Sequence, residues 1–346
     1  MSTVTGERPR LVPPAGLVAV TVMLLAPVGI PGPPRGSMMA ATNQFRGVNW
    51  ADRRDNFVGD DLVLGGLDTR DSYADTRAKA HAVLTGFAHD LGANTVRLPV
   101  NFPTVSGSYW PSYAGVIDEA SRLDMNVVLS YWESNDSKDG KVDDLLQFWS
   151  MWQTIVDRYH ADDHVYFEPM NEPHGYTDAE WKDVAAEWLR RYPTVPKGRV
   201  IVSGAGYNQR GATIGSDPRF DGCLISVHIY GFWHAALVTE DAWRASLDAS
   251  LGAYASRTII SEYGAPMTTG LNYDGDIPSG PGAHFVAFIR GVSARARELG
   301  LGTIYWPGLR VGDPYSLETL SGTGTALAVS VTNPSGRDQL RRSWGQ

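Results

Sequence analysis

Cysteine is almost missing from this chain. Cys223 is its single thiol, so no internal disulfide can brace the fold and the core must do so alone. It sits in an apolar stretch and reads as a small buried hydrophobe. An excess of basic charge is missing too. The formal net charge is −8, which argues against a nucleic-acid or anionic-membrane partner and suits a neutral ligand. There is no glycine loop built to cradle phosphate, no serine elbow and no cysteine cluster, which removes the commonest nucleotide, acyl-transfer and thiolate-metal chemistries.

Long apolar runs are scarce as well. The longest, residues 17–30, follows Arg8 and Arg10, is interrupted by Thr21 and Pro27, and is short for a membrane span. It reads as a secretory signal with a cut near Met39-Ala40-Ala41-Thr42, a retained anchor being the alternative. Residues 1–41 are thus expected to form a leader and 42–346 one catalytic-sized domain. The mature protein is expected to be secreted and extracellular, monomeric, and free of the membrane.

What the chain does have is alternation. Strand-like apolar runs fall at 45–50, 94–99, 126–129, 164–167, 199–202, 223–227, 257–260 and 302–306. Amphipathic, helix-like segments at 76–91, 115–123, 145–159, 179–191, 241–251 and 284–299 separate them. Residues 207–221 read mostly as loop, 270–282 as a surface loop and 339–344 as the start of a closing helix. Eight such alternations predict an α/β fold, a single (β/α)8 TIM barrel.

A barrel packed with side chains does its chemistry at the carboxyl ends of its strands. The polar and aromatic residues expected there are Asn49, Trp50, Arg97, Asn101, Trp132, Glu133, Asn171, Glu172, His174, His228, Tyr230, Glu262 and Trp306. Alone, each has a plain structural explanation: a solvated glutamate, a surface arginine, a packed imidazole. Three of them are acids, Glu133, Glu172 and Glu262, and Glu172 and Glu262 make a pair, each where an apolar run ends. Opening an acetal requires such a pair, one carboxyl to protonate the leaving oxygen and one on the opposite face. At about 5 Å separation the second acts as nucleophile and configuration is retained, whereas wider spacing admits water and inverts it.

Different neighbours must then split the two acids. Glu262 is expected to stay ionised if Arg97 and Tyr230 donate to it, and Glu172 to stay protonated beside neutral Asn171 and His228. Glu172, His228, His234 and Glu262 are also metal-type ligands, but no two of them stand at the i, i+4 spacing of a helical ligand pair, and no metal or cofactor is expected. With 11 Trp and 15 Tyr in the chain, Trp50, Trp132 and Trp306 are candidates to stack on the flat C–H faces of a sugar.

At these residues the chain resembles glycoside hydrolase family 5. The matching pieces are Arg46-Gly47-Val48-Asn49-Trp50, Leu91 to Pro99, Asn171-Glu172-Pro173, His228-Ile229-Tyr230, Ser261-Glu262-Tyr263-Gly264 and Trp306, in the family's order. The resemblance implies a retaining, cellulase-like β-glycosidase in which Glu172 is the acid/base and Glu262 the nucleophile. It further implies that Asn171 binds the 2-hydroxyl, Arg97 and Tyr230 hold Glu262, His228 sits near Glu172, and Trp306 floors the attacked sugar's subsite. β-Glucan is the expected substrate, with mannan, xylan, galactan or a disaccharide glycoside as alternatives and a glycan-binding barrel without catalysis as the rival of another class. One departure stands out: Trp132 occupies the place where the family usually carries a histidine, which bears on the choice of sugar and leaves both carboxylates untouched.

Overall fold

The computed structural model describes residues 42–134 and 137–346. The leader expected over 1–41 lies outside the described residues. The described part is a single (β/α)8 barrel. Its strands are β1 (Arg46–Trp50), β2 (Thr95–Val100), β3 (Asn126–Tyr131), β4 (Val165–Glu168), β5 (Ile201–Ser203), β6 (Leu224–His228), β7 (Thr258–Glu262) and β8 (Gly302–Leu309). All pairings are parallel and run β4-β3-β2-β1-β8-β7-β6-β5. An isolated bridge from Phe167 to Val200 links β4 to the start of β5 and brings the sheet's two ends together.

Burial on both faces explains the near-continuous apolar strands. Register then decides what meets at the mouth. Asn49 lies opposite Arg97, Ser130 opposite Glu168, and His228 opposite Glu262, so polar residues from different strands reach the same level. A register shift between Val227 and His228 leaves Ser261 as an extra residue on β7 and brings Glu262 level with His228. At the opposite end Phe45, Val128, Ile201, Leu224, Ile259 and Ile304 close the barrel with an apolar plug.

The helices dock by the stripes expected of them. Leu145–Tyr159 buries Phe148, Met151, Trp152, Ile155, Val156 and Tyr159, and the Asp144 carboxylate accepts from the Leu146 and Gln147 amides to cap it. The helix expected over 76–91 divides into an α-helix, Tyr73–Gly86, and a π turn, Phe87–Leu91, ended by Gly92 in the left-handed region (φ 78°). Within the stretch read as loop after β5 one short helix forms, Gly211–Gly215, and ahead of it Gly206, Tyr207 and Asn208 make a left-handed turn (φ 68°, 52° and 58°).

A further departure from expectation is an antiparallel hairpin, β9 (Glu318–Ser321) with β10 (Ala328–Val331). It packs on the Tyr73–Gly86 helix where Gly86 has no side chain; a Cβ there would meet Val329 Cγ2 at 2.0 Å. The closing helix, Pro334–Ser343, starts earlier than expected because Asn333 caps it through the Gly336 amide. Among the described residues no helix is long and apolar enough to cross a membrane.

Candidate active site

The site is built around one guanidinium. Arg97, on β2 and only 1 % exposed, is the largest charged group inside the barrel. A buried cation is tolerable only if paired and fully hydrogen-bonded. Arg97 meets that condition. Nε donates to Glu168 Oε2 (2.5 Å), and Nη1 to Glu262 Oε1 (2.5 Å) and Asn49 Oδ1 (2.9 Å). Nη2 donates to Ser130 Oγ (3.0 Å) and Asn171 Oδ1 (2.7 Å). Asn49 is fixed in turn, its Nδ2 donating to the carbonyls of Ser261 and Tyr305, both at 3.1 Å.

Glu168 was not among the expected site residues. The strand-like run ending at residue 167 hid it, although period-two alternation puts Glu168 on the same face of β4 as Tyr166, whose ring packs against the barrel's plug. Fully buried between Arg97 and the Ser203 hydroxyl (3.0 Å), it accepts from the Nε side of the guanidinium while Glu262 accepts from Nη1.

Glu262 ends β7 with both oxygens occupied, Oε1 by Arg97 and Oε2 by the Tyr230 hydroxyl at 2.7 Å. Glu172 stands just beyond β4 with φ +31°, in the left-handed region, between Asn171 and Pro173. Its neighbours hold it there: Asn171 N donates to Tyr131 O (2.8 Å) and His174 N donates to Glu172 O (2.7 Å). Backbone strain of this kind persists where surroundings over-determine it, and it concentrates at functional sites.

His228 Nδ1 lies 2.8 Å from Glu172 Oε1 and 3.4 Å from Glu262 Oε2. Burial, followed by the nearby Arg97 charge, pushes the imidazole well below its usual range, so His228 is neutral. Its Nε2 has no partner among the described residues.

Ligand oxygens of Glu172 and Glu262 approach within 4.8 Å. Burial raises both carboxyls, and their mutual repulsion raises Glu172 further. Arg97 and the Tyr230 hydroxyl act against that rise at Glu262. Glu172 feels Arg97 only at a distance, has the neutral imidazole as its side-chain partner, and is pushed well up. The first proton on the pair therefore belongs to Glu172, leaving a neutral acid 4.8 Å or less from a carboxylate.

Both acids line a cleft of about 460 Å³ at the mouth, with Trp132, Asn171, Tyr230 and Trp306. Trp132 and Trp306 stand 5.4 Å apart, tilted 48° to each other. Arg97 and His228 lie behind that lining, against the carboxylates. The cleft also takes in residues that the sequence reading passed over or left unassigned: Asp55, Tyr207, Phe232, Arg310 and Tyr315. They sit on loops, where apolar periodicity carries no signal.

Trp50 requires a correction. It is wholly buried, its indole donates to Gly65 O (3.1 Å), and its ring meets Phe87 edge-on at 6.2 Å. Because Asn49 points into the barrel, alternation turns Trp50 outward onto the helix layer, and it does not line the cleft. Glu133 is neither a free loop charge nor a cleft acid: it is 3 % exposed and accepts from the Asp139 and Gly140 amides, tying down its own loop. One histidine pair, His160 and His164, has i, i+4 spacing, but it lies before β4, engaged with Val156 O and Asp124.

Comparisons with known proteins follow this geometry. A family model described as cellulase (glycosyl hydrolase family 5) matches residues 58–306. Solved structures with the same fold include the catalytic domain of the major endoglucanase from Xanthomonas campestris pv. campestris. It is 17% identical with a TM-score of 0.61, and the match covers 87% of this chain and 95% of that one. An endocellulase from Pyrococcus horikoshii, in complex with cellotetraose, matches at 17% identity and TM-score 0.59 over 87% of this chain and 92% of that one. A GH5 cellulase from an Icelandic hot spring isolate matches at 15% identity and TM-score 0.57, over 87% and 88%. No curated protein matches.

Proposed function

The chain belongs to glycosyl hydrolase family 5 and is a glycoside hydrolase, and from that premise we propose that it cleaves β-glycosidic bonds of a neutral glycan with retention of configuration. The observation that carries this reading is the carboxyl pair, within 4.8 Å and differently surrounded. That separation suits direct attack and falls short of the roughly 6.5–9.5 Å over which an inverting pair places its water. Glu262, held as a carboxylate by Arg97 and Tyr230, attacks the anomeric carbon as neutral Glu172 gives its proton to the leaving oxygen. The glycosyl–Glu262 ester then forms, and Glu172, now a base, takes a proton from the water that hydrolyses it. The Tyr230 hydroxyl, 2.7 Å from Oε2, stays with the nucleophile's second oxygen throughout.

β-Glucan is the substrate we favour. It is what the endocellulases of the same fold act on, and the tilted Trp132–Trp306 pair offers aromatic faces to its axial C–H bonds. Secretion of the mature domain, action as a monomer without nucleic-acid or membrane partners, and turnover without a cofactor belong to the same reading. Glu172, His228 and Glu262 lie close enough to hold a metal ion. Arg97, 2.5 Å from Glu262, already supplies the positive charge such an ion would bring, so activity is expected to survive a chelator.

Glu262→Ala assayed with and without azide tests the mechanism. Turnover should fall by at least roughly 10²–10⁴-fold and return with azide as the glycosyl azide of inverted configuration. Near-wild-type activity in the variant would remove Glu262 from the reaction. A folded wild type that turns over none of a panel of aryl β-glycosides and β-glucans would favour a glycan-binding barrel instead.

A further inference from the structure

The cleft has a polar end that the two-carboxylate chemistry does not use. Asp55, on the loop after β1, lines the same cavity as Glu172 and Glu262, together with Arg310 and Asp313 from the loop after β8. Arg310 Nη1 stands 3.0 Å from Asp55 Oδ2 and 2.8 Å from Asp313 Oδ2. Asp313 is a support: its side chain is 8 % exposed and its other oxygen accepts from the Tyr315 amide at 2.8 Å. Asp55 differs, because 43 % of its side chain remains accessible although protein surrounds it. Among the described residues Arg310 Nε has no acceptor, so the cluster is not a saturated structural salt bridge.

Position gives this cluster a direction. β4, which leads to Glu172, and β8, which leads to Arg310, lie on opposite sides of the barrel. On the reading above Glu172 protonates the leaving group, so the aglycone leaves on its side and the glycone extends toward β1 and β8. Asp55 is close enough to Glu172 and Tyr230 for its charge to act on both. A carboxylate accepts hydrogen bonds and donates none, which suits paired hydroxyls. Arg310 offsets part of its charge, so an amino sugar gains little, while Asp313 and Glu262 disfavour a uronic acid. The volume, about 460 Å³, is at the lower end of the roughly 300–1,000 Å³ typical of small-molecule pockets and suits a short glycone.

We propose that Asp55, positioned by Arg310, selects the glycone by accepting hydrogen bonds from neighbouring hydroxyls of a neutral sugar on the non-reducing side of the scissile bond. This assignment rests on the glycosidase reading only for its direction along the cleft.

The test pairs a deletion in the protein with one in the sugar. Affinities of methyl β-cellobioside and methyl β-mannobioside, and of analogues lacking one hydroxyl at a time on the non-reducing ring, are measured by calorimetry. Wild type, Asp55→Ala and the shape-preserving Asp55→Asn are compared. For at least one hydroxyl, deletion should weaken wild-type binding by roughly 10- to 100-fold yet weaken Asp55→Ala binding little further. Losses that simply multiply would mean that Asp55 only holds its loop, and would overturn the proposal. So would failure of wild type to bind either glycoside, or wild-type affinity in both variants. Turnover of the matching aryl glycosides is scored separately. Binding with the expected coupling but no hydrolysis would remove the catalytic reading and leave the sugar contact standing.

Discussion

The two ends of the barrel are equally dry and differently made. At the amino-terminal end Phe45, Val128, Ile201, Leu224, Ile259 and Ile304 fill the interior with hydrocarbon. At the carboxyl end Asn49, Arg97, Ser130, Glu168, Ser203, Ser226, His228 and Ser261 are buried as deeply, and nearly every polar atom there is matched by another. The plug gains stability simply by leaving water. The mouth must recover a large desolvation cost through geometry, and what it gains is a fixed charge pattern. The bottom thus holds the barrel together, while the top aims two carboxyls.

Removing the centre of the polar end is the largest perturbation available. Arg97→Met would strand Glu168 and Glu262 as buried carboxylates, at a cost of about 3–5 kcal/mol in stability. Glu262 would then take up a proton more readily, and kcat/KM should fall at least roughly 10²-fold. Denaturant unfolding and steady-state kinetics on one preparation measure both. A fall in activity with unchanged stability would mean that the mouth relaxes around the loss and is less tightly coupled than its hydrogen bonds suggest.

The converse perturbation is Ile304→Ala in the plug. The packing there is tight: a Cβ on neighbouring Gly47 would lie 2.9 Å from Ile304 Cγ1, and the backbone has little room to close over a cavity. The expected loss is about 2–5 kcal/mol of stability. Where the variant is still folded, kcat/KM should be unchanged, since Ile304 is remote from the carboxyls. A matching drop in kcat/KM at a temperature well below unfolding would break the division of labour between the two ends.

That division also governs how much was readable in the sequence. The eight strands are visible as apolar runs, Glu172, Glu262, Asn171, His228 and Tyr230 stand at or just past the ends of such runs, and Arg97 interrupts one as its single charge. Glu168 was missed because it extends the run by one residue, so only alternation along β4 betrays it. Trp50 was misassigned for the same reason, facing outward because Asn49 faces inward. Asp55 and Arg310 belong to loops that meet only after the barrel closes. The β9–β10 hairpin depends on the absence of a side chain at Gly86, which local patterning does not reveal.

That hairpin carries a third kind of burial, neither packed hydrocarbon nor satisfied network. Glu318 is fully buried, and among the described residues neither of its carboxylate oxygens has a partner. Burial, with a smaller push from Asp90, raises its carboxyl to about 8. In the unfolded chain it titrates near 4.5, the ordinary value. Between these values the native state binds the extra proton, so stability should fall as pH rises from about 4.5 to 8 and then level off. Glu318→Gln should match wild type near pH 5 and exceed it by about 1–3 kcal/mol above pH 8. Melting curves across that range check it; a variant equally destabilised at every pH would mean that the carboxyl has a partner it loses.

The smallest expected change is the most direct check on where the cleft stops. Trp50→Phe removes the donor to Gly65 O and part of a ring packed on Phe87, both in the helix layer. The acceptor left behind is a backbone carbonyl and the lost volume is partial, so the cost should be about 1–3 kcal/mol of stability. Nothing in the cleft moves with it, because Asn49, the adjacent residue that does face the mouth, is held independently by Arg97 and by the carbonyls of Ser261 and Tyr305. KM and kcat should both stay within about twofold of wild type. A raised KM with kcat preserved would return Trp50 to the sugar-binding surface. A lowered kcat would mean instead that Asn49 transmits the disturbance inward to Arg97, joining the helix layer to the charged mouth.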